Sequence, residues 1–532
     1  MNKEKIKEWL RPWENKLVVG LIAFTIILRL YYFFNLGNQP IWWDEGDYLA
    51  ISKVWANNMP TPEWWGHFTG MRPLFMSILW FLFMKVGLGE MAMRFFTLLI
   101  PSIITIYLVY AVSRDMYNKK IGLIAGFIMS VYWVFTFYTF RLLTDIPAMC
   151  FGMLTIYFFY SRYIVKKEVK GLYFAVLFGV LAFYVRFPYA SVLFSCFLFL
   201  LITEKLNFFK SKLNWKAIGF IVLLLSPYII YFIISNFYLV HFYFGAGATN
   251  LQIPLVQAAK DIFGMFPFLF GPTDSGNLPI FLNSFLLLLF IGILALYEFF
   301  IYLDVVWKQT DKKYNSDLFL VIWLVIQLFI YVIIIKASTD RWLLMAMPPM
   351  FILIGKGLQL IYKLLKSSSK IFAIALVVFL VLFGGYYQQK HADWLIDIKK
   401  TSYGEIKDSA FWFKQNTPED TKIITASIVQ NQYYSERESY DYNTNDSIWS
   451  TCPNKGGTYD NTTCDLLTEQ VFNSKLNRLK PDYLVVSGFE PYFQPPWAYT
   501  YPQRYNLTLV GFYPQNSKQP ILAIYKFDKS KF

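Results

Sequence analysis

Apolar runs of about 20 residues, separated by short polar segments, recur along the first 390 or so positions and then stop. Runs of that length match the hydrocarbon core of a bilayer. They predict about 11 spanning helices, at 17–36, 94–113, 121–140, 145–163, 171–186, 188–203, 217–238, 278–302, 318–336, 341–362 and 371–388. A further apolar stretch, Pro73–Leu88, decides the side on which every later loop falls. If it does not cross, 22 Lys and Arg residues lie on the side of the N-terminus and nine on the other. Basic residues in short loops favour the cytoplasm, so Pro73–Leu88 reads as an interfacial or re-entrant helix. The N-terminus is then cytoplasmic and the C-terminal segment extracytoplasmic. The first run lacks a small-residue cleavage pattern and reads as a retained span.

Between the fifth and sixth runs stand Arg186, Phe187 and Pro188. Proline disfavours helix in the residue before it, which predicts a tight hairpin with Arg186 at its outer tip. From about residue 390 the pattern changes to an amphipathic stretch, Ile406–Phe413, followed by strand-like runs at Lys422–Ile428, Tyr483–Ser487, Leu507–Phe512 and Ile521–Phe527. The expected fold is therefore a polytopic α-helical membrane protein with a C-terminal α/β soluble domain. Its parts would be a membrane domain, 1–389, with a first outer loop at 37–93, and an extracytoplasmic domain at 390–532. Sequons at Asn445, Asn461 and Asn506 fit that location. Cys452 and Cys464 could pair there, with free thiols the other reading, whereas Cys150 and Cys196 lie in apolar runs as packing residues.

Composition narrows the class. With 56% hydrophobic and only 16% charged residues, the chain is too apolar for a soluble multidomain protein. The net charge of +14 sits in short loops between spans, which is membrane topology rather than a nucleic-acid surface.

Ionisable residues then converge on the outer side. The stretch Trp42–Tyr48 places Asp44, Glu45 and Asp47 directly beyond the first span. His67, Arg72, Arg94, Arg141, Asp145, Arg186, His241 and Arg341 surface at the same end. Carboxylates and arginines at one depth beside hydrocarbon suggest a site for an anionic head group on a lipid, since arginine binds phosphate oxygens in pairs and stays charged. Each residue also has a plain role. Asp44, Glu45 and Asp47 can cap a helix, Arg141 and Asp145 can pair four residues apart, and Arg94 and Arg341 can snorkel. Trp42, Trp43, Trp64 and Trp65 suit an interfacial belt. No phosphate-binding glycine loop and no Cys/His metal spacing stands out.

Several short motifs occur together in one order: Asp44-Glu45 with Tyr48, Arg72-Pro73-Leu74, Gly89 with Arg94, Arg141 to Asp145, the basic hairpin tip Arg186, and Arg341 opening a span. In these the chain resembles the C-type glycosyltransferases of the GT-C fold, in particular the branch of protein O-mannosyltransferases and lipid A aminoarabinose transferases. The resemblance implies transfer of a sugar from a polyprenyl-phosphate or dolichyl-phosphate donor to a protein, lipid or glycan acceptor at the outer face of the plasma membrane. It implies catalytic roles for Asp44, Glu45 and Asp145, and donor-phosphate binding by Arg72, Arg141, Arg186 and Arg341. No nucleotide cofactor or nucleic-acid partner is expected, and a divalent metal at Glu45 or Asp145 is left open. Arg72 stands where the aminoarabinose branch has lysine, and its single following proline departs from that branch's pattern. A lipid-linked glycan transporter or flippase, or a non-catalytic glycan-binding membrane protein, is the alternative, although transporters place ionisable groups near the midplane, often in paired repeats.

Overall fold

The computed structural model describes Glu8 and residues 10–36, 38–61, 72–234, 253–337, 339–442, 462–489, 494–514 and 521–531. Its chain divides into two compact units, Met1–Gly37 with Glu90–Ile398, and Asn38–Gly89 with Lys399–Phe532.

The first unit is helical. Nine helices among the described residues of the whole chain are long and apolar enough to cross a membrane, from Trp13–Leu36 to Lys370–Asn416, and the protein is an integral membrane protein. The eleven crossings read from the sequence are not all reproduced as single long helices. The run at 121–140 is split, because Tyr132 turns to an extended ψ of 119° between the helices Lys119–Val131 and Trp133–Tyr138. Backbone freed at membrane depth needs a partner. Gln388 supplies one, its Oε1 accepting from Trp133 N at 3.1 Å while its Nε2 donates to the carbonyls of Leu269 and Phe270. The fifth run is an apolar helix of 17 residues, Val169–Val185. It ends where Arg186 turns extended and a short 3-10 turn at Phe187–Tyr189 leads into Ala190–Glu204, so the proline breaks the hairpin where the sequence predicts.

The second unit holds a five-stranded sheet. Its strands are β1 (Lys422–Ile424), β2 (Glu438–Tyr440), β3 (Tyr483–Ser487), β4 (Thr508–Tyr513) and β5 (Leu522–Lys526), in the order β2-β1-β3-β5-β4. The β1–β2 and β1–β3 pairs are parallel and the other two antiparallel. Side chains alternate across a strand, and two cores result. Ile423, Val485 and Ile524 pack with Ile406 and Phe413 of the helix Gly404–Asn416. Ile424, Leu484 and Val486 pack on the other face with Phe472, Leu476, Trp497 and Tyr501. The first strand is shorter than Lys422–Ile428, because Ile428 opens a buried helix, Ile428–Ser435. Cys452, Asn445 and Asn461 lie outside the described residues, and with Cys452 goes the Cys452–Cys464 pairing; Cys150 and Cys196 are buried free thiols.

The segment Asn38–Gly89 belongs to this unit rather than to the helical one. The helix Trp43–Trp55 lies against Ile428–Ser435 through Ala50, Met59, Ile428 and Val429. Lys53 pairs with Glu436 at 2.8 Å, and Ile41 N donates to the Tyr434 hydroxyl at 3.0 Å. Helix Phe75–Lys85, with 11 residues, has about half the length a crossing needs. It joins Trp43–Trp55 by Ser52 Oγ donating to Ser77 O and Ser77 Oγ to Tyr48 O, with Trp80 fully buried against Tyr48.

The acidic stretch contains a glycine for a packing reason. A Cβ at Gly46 would come within 2.6 Å of Val429 Cγ1, too close for two packed carbons. Gly46→Ala is therefore expected to destabilise the second unit by about 1–3 kcal/mol through overpacking, read as a lower thermal midpoint of the full-length protein. An unchanged midpoint would contradict this packing.

Candidate active site

The described site residues gather into two charged groups, one within each unit.

In the second unit, Trp42 is the extended N-cap of Trp43–Trp55, and Glu45 reaches back so that its Oε2 accepts from Trp42 N at 2.6 Å. This is the back-reaching half of a capping box, made by the Glu45 carboxylate alone because the Trp42 indole can only donate, and Glu45 is fully buried in it. Asp44 and Asp47 are three residues apart and so share a helix face. One guanidinium bridges them: Arg72 Nη2 lies 2.5 Å from Asp47 Oδ2 and 3.2 Å from Asp44 Oδ1, with the group 5.4 Å from the Tyr48 ring centroid. The two carboxylates differ in exposure, since Asp47 has 0% of its side chain exposed and Asp44 has 33%. Asp44 is thus the carboxylate that an incoming molecule can reach.

Burial pushes the Asp47 carboxyl up to about 7, with Arg72 opposing the shift and Asp44 adding to it. Asp47 is a structural partner in this bridge, not simply the first-turn helix charge that its position suggests.

In the first unit, Asp145 opens the helix Asp145–Ile156 and is almost wholly buried. Arg186, at the hairpin tip, places Nη1 3.1 Å from Asp145 Oδ1, and Arg341 Nη1 stands 4.0 Å from Oδ2. Both arginines keep some exposure, 17% and 19% of their side chains. Arg341 also lies over the Tyr138 ring, whose hydroxyl donates to Asp340 Oδ1 at 3.2 Å, and Asp340 accepts from Arg341 N at 2.8 Å. Residues 186 and 341 meet because one ends a helix at a proline break and the other starts a 3-10 turn, Asp340–Ala346. Arg141 is buried with its guanidinium over Phe137. Arg94 is buried 3.4 Å from Glu90.

Some polar residues escaped the sequence reading. Asp340 and Tyr138 complete the Arg341 surroundings, yet one precedes a span and the other lies in an aromatic run. Arg29 is fully buried in the first span, donating from Nη1 to Thr136 Oγ1 at 3.2 Å and lying over Phe135. It pins the short helix that carries Tyr138. A mid-span arginine was itself the available signal. Trp64, Trp65, His67 and His241 lie outside the described residues.

Among the described residues no group of three or more His, Cys, Asp and Glu side chains is arranged to hold a metal ion. Among the described residues, Glu45 is engaged by the helix cap and Asp145 by arginines.

The Asp47 shift fixes a sign for pH. Its carboxyl binds a proton more tightly in the folded chain than at the ordinary value of 3.8, so folding stability falls as pH rises from about 4 to about 7. Asp47→Asn is expected to flatten that stretch of a thermal-midpoint-against-pH curve. A curve that keeps the wild-type slope would contradict the buried position.

Residues 71–231 match the family described as Dolichyl-phosphate-mannose-protein mannosyltransferase. No curated protein matches by sequence. By structure, the chain is similar to ArnT from Cupriavidus metallidurans in the apo state, with a TM-score of 0.59 and 11% identity over 96% of this chain and 98% of that one. The same protein bound to undecaprenyl phosphate gives 0.53 and 12%, over 96% and 97%. The oligosaccharyltransferase AglB from Archaeoglobus fulgidus, in complex with an inhibitory peptide and a dolichol-phosphate, gives 0.53 and 13%, over 98% and 75%. The chain has the GT-C fold of C-type membrane glycosyltransferases and resembles the protein O-mannosyltransferase and aminoarabinose transferase branch.

Proposed function

We propose that this protein is a polyprenyl-phosphate-sugar-dependent glycosyltransferase that works at the outer face of the plasma membrane, with its N-terminus cytoplasmic and its C-terminal domain extracytoplasmic. The observation that carries the reading is the Asp145 group: a buried carboxylate held by Arg186, with Arg341 beside it, both arginines still partly open. The undecaprenyl phosphate and dolichol-phosphate of the similar structures support a polyprenyl-phosphate carrier here.

In this reaction an acceptor hydroxyl attacks the first carbon of the sugar. The carbon–oxygen bond to phosphate breaks, and its electron pair stays on the lipid phosphate. Arginines already in place stabilise that charge best where water is scarce, because they need no reorganisation as it develops. Asp145 holds Arg186 and Arg341 in position with part of each side chain still exposed, and Arg141 adds positive charge near the start of the same helix. Asp44 takes the proton of the acceptor hydroxyl. Arg72 keeps Asp44 oriented and is a second candidate for the phosphate, in which case it would exchange one oxygen partner for another. Glu45 acts through the helix cap that fixes Asp44.

Transfer from a radiolabelled polyprenyl-phosphate sugar in membranes tests the assignment. Asp44→Asn is expected to lower transfer by roughly a hundred- to ten-thousandfold, the usual worth of a general base. Arg341→Met should lower it by about a hundredfold or more. Undiminished transfer in Asp44→Asn would overturn the base assignment.

A further inference from the structure

A groove of about 640 Å³ runs along the first span, away from every residue assigned above. Its walls are apolar, formed by Val19, Ile22 and Ile26 on Trp13–Leu36 and by Tyr107 on the helix Ile100–Met116. The charged side chains lining it are both cations, Arg114 and Lys119. They stand where the polar turn after Met116 begins, beside the N-terminal half of the first span.

We infer that this groove binds one anionic glycerophospholipid, its phosphate at Arg114 and Lys119 and an acyl chain along Val19 to Ile26. The inference is independent of the proposed transferase chemistry. Three features commit it to a lipid. The apolar wall from Val18 to Ile26 extends about 12 Å along the span, longer than a soluble phosphate compound needs. It lies on a helix of spanning length, with Val19 49% exposed and Tyr107 42%, so a bilayer chain can enter sideways. The cations are oriented without being exhausted. Arg114 is held by Asp115 at 2.7 Å and lies over Tyr110, yet keeps 31% of its side chain exposed. Lys119 Nζ donates to Asn15 Oδ1 at 3.0 Å, one of the three bonds an ammonium can donate. A phosphate diester can accept from donors of both, and its negative charge is opposite in sign to theirs.

Native mass spectrometry of the full-length protein in detergent, with phosphatidylglycerol, phosphatidylcholine and undecaprenyl phosphate as probes, tests the site. One phosphatidylglycerol should stay bound where phosphatidylcholine does not. A basic residue near an anionic lipid contributes about fivefold in binding, so Arg114→Gln with Lys119→Gln should weaken it by about thirtyfold. Ala23→Phe, which fills the groove and leaves both cations, should also remove the bound lipid. Equal retention of phosphatidylcholine, or unchanged binding in either variant, would overturn the site. Displacement of phosphatidylglycerol by undecaprenyl phosphate would assign the groove to a polyprenyl carrier and refute the phospholipid.

Discussion

Everything at the two charged groups follows from the cost of taking a carboxylate out of water. A buried ionised carboxylate is costly unless it is paired and hydrogen-bonded. Asp47 and Asp145, both almost without exposure, are each held by an arginine. The chain supplies those arginines from far along the sequence, at 72, 186 and 341. The folding of loop, hairpin and 3-10 turn is what brings each partner to its carboxylate. Removing one partner leaves a buried charge uncompensated, so these pairs fix geometry more than they add stability. Fixed geometry is what transfer chemistry needs, because donor and acceptor must be held in line before the bond breaks.

The same constraint separates the three carboxylates of Trp42–Tyr48. Glu45 is tied to backbone and Asp47 is sealed under Arg72, which leaves Asp44 partly open at 33%. Arginine alone could not decide among them, since Arg72 touches both Asp44 and Asp47. Their difference comes from position along the helix Trp43–Trp55, with Asp44 partly exposed in its first turn and Asp47 almost a turn further in on the same face. That helix is set by Val429 against Gly46 and by Lys53 against Glu436. The C-terminal segment thus supports the acidic stretch as well as forming its own sheet.

Much of this was legible in the sequence. Apolar runs gave the membrane class and most helices, Pro188 gave the hairpin, and alternation gave β3, β4 and β5 nearly residue for residue. The order of short motifs pointed to the GT-C fold. The split at Tyr132 was hidden because an apolar run has no mark for a break that a distant glutamine repairs. Helix Ile428–Ser435 was hidden because it is buried by Trp43–Trp55, a partner nearly 400 residues earlier, so its pattern is not that of a surface helix. Of the site, residue types and sidedness were readable, but partners were not. Asp145 reads as a companion of Arg141 by spacing, whereas in three dimensions Arg186 and Arg341 come to it. The union of Asn38–Gly89 with Lys399–Phe532 depends on contacts that no local pattern encodes.

The central claim is a division of labour, with arginines at Asp145 for the donor phosphate and Asp44 for the acceptor proton. Measuring donor affinity alongside turnover in purified Asp44→Asn protein tests it most directly. The account predicts wild-type affinity for the polyprenyl-phosphate sugar with transfer nearly abolished. Loss of donor binding in step with transfer would contradict it.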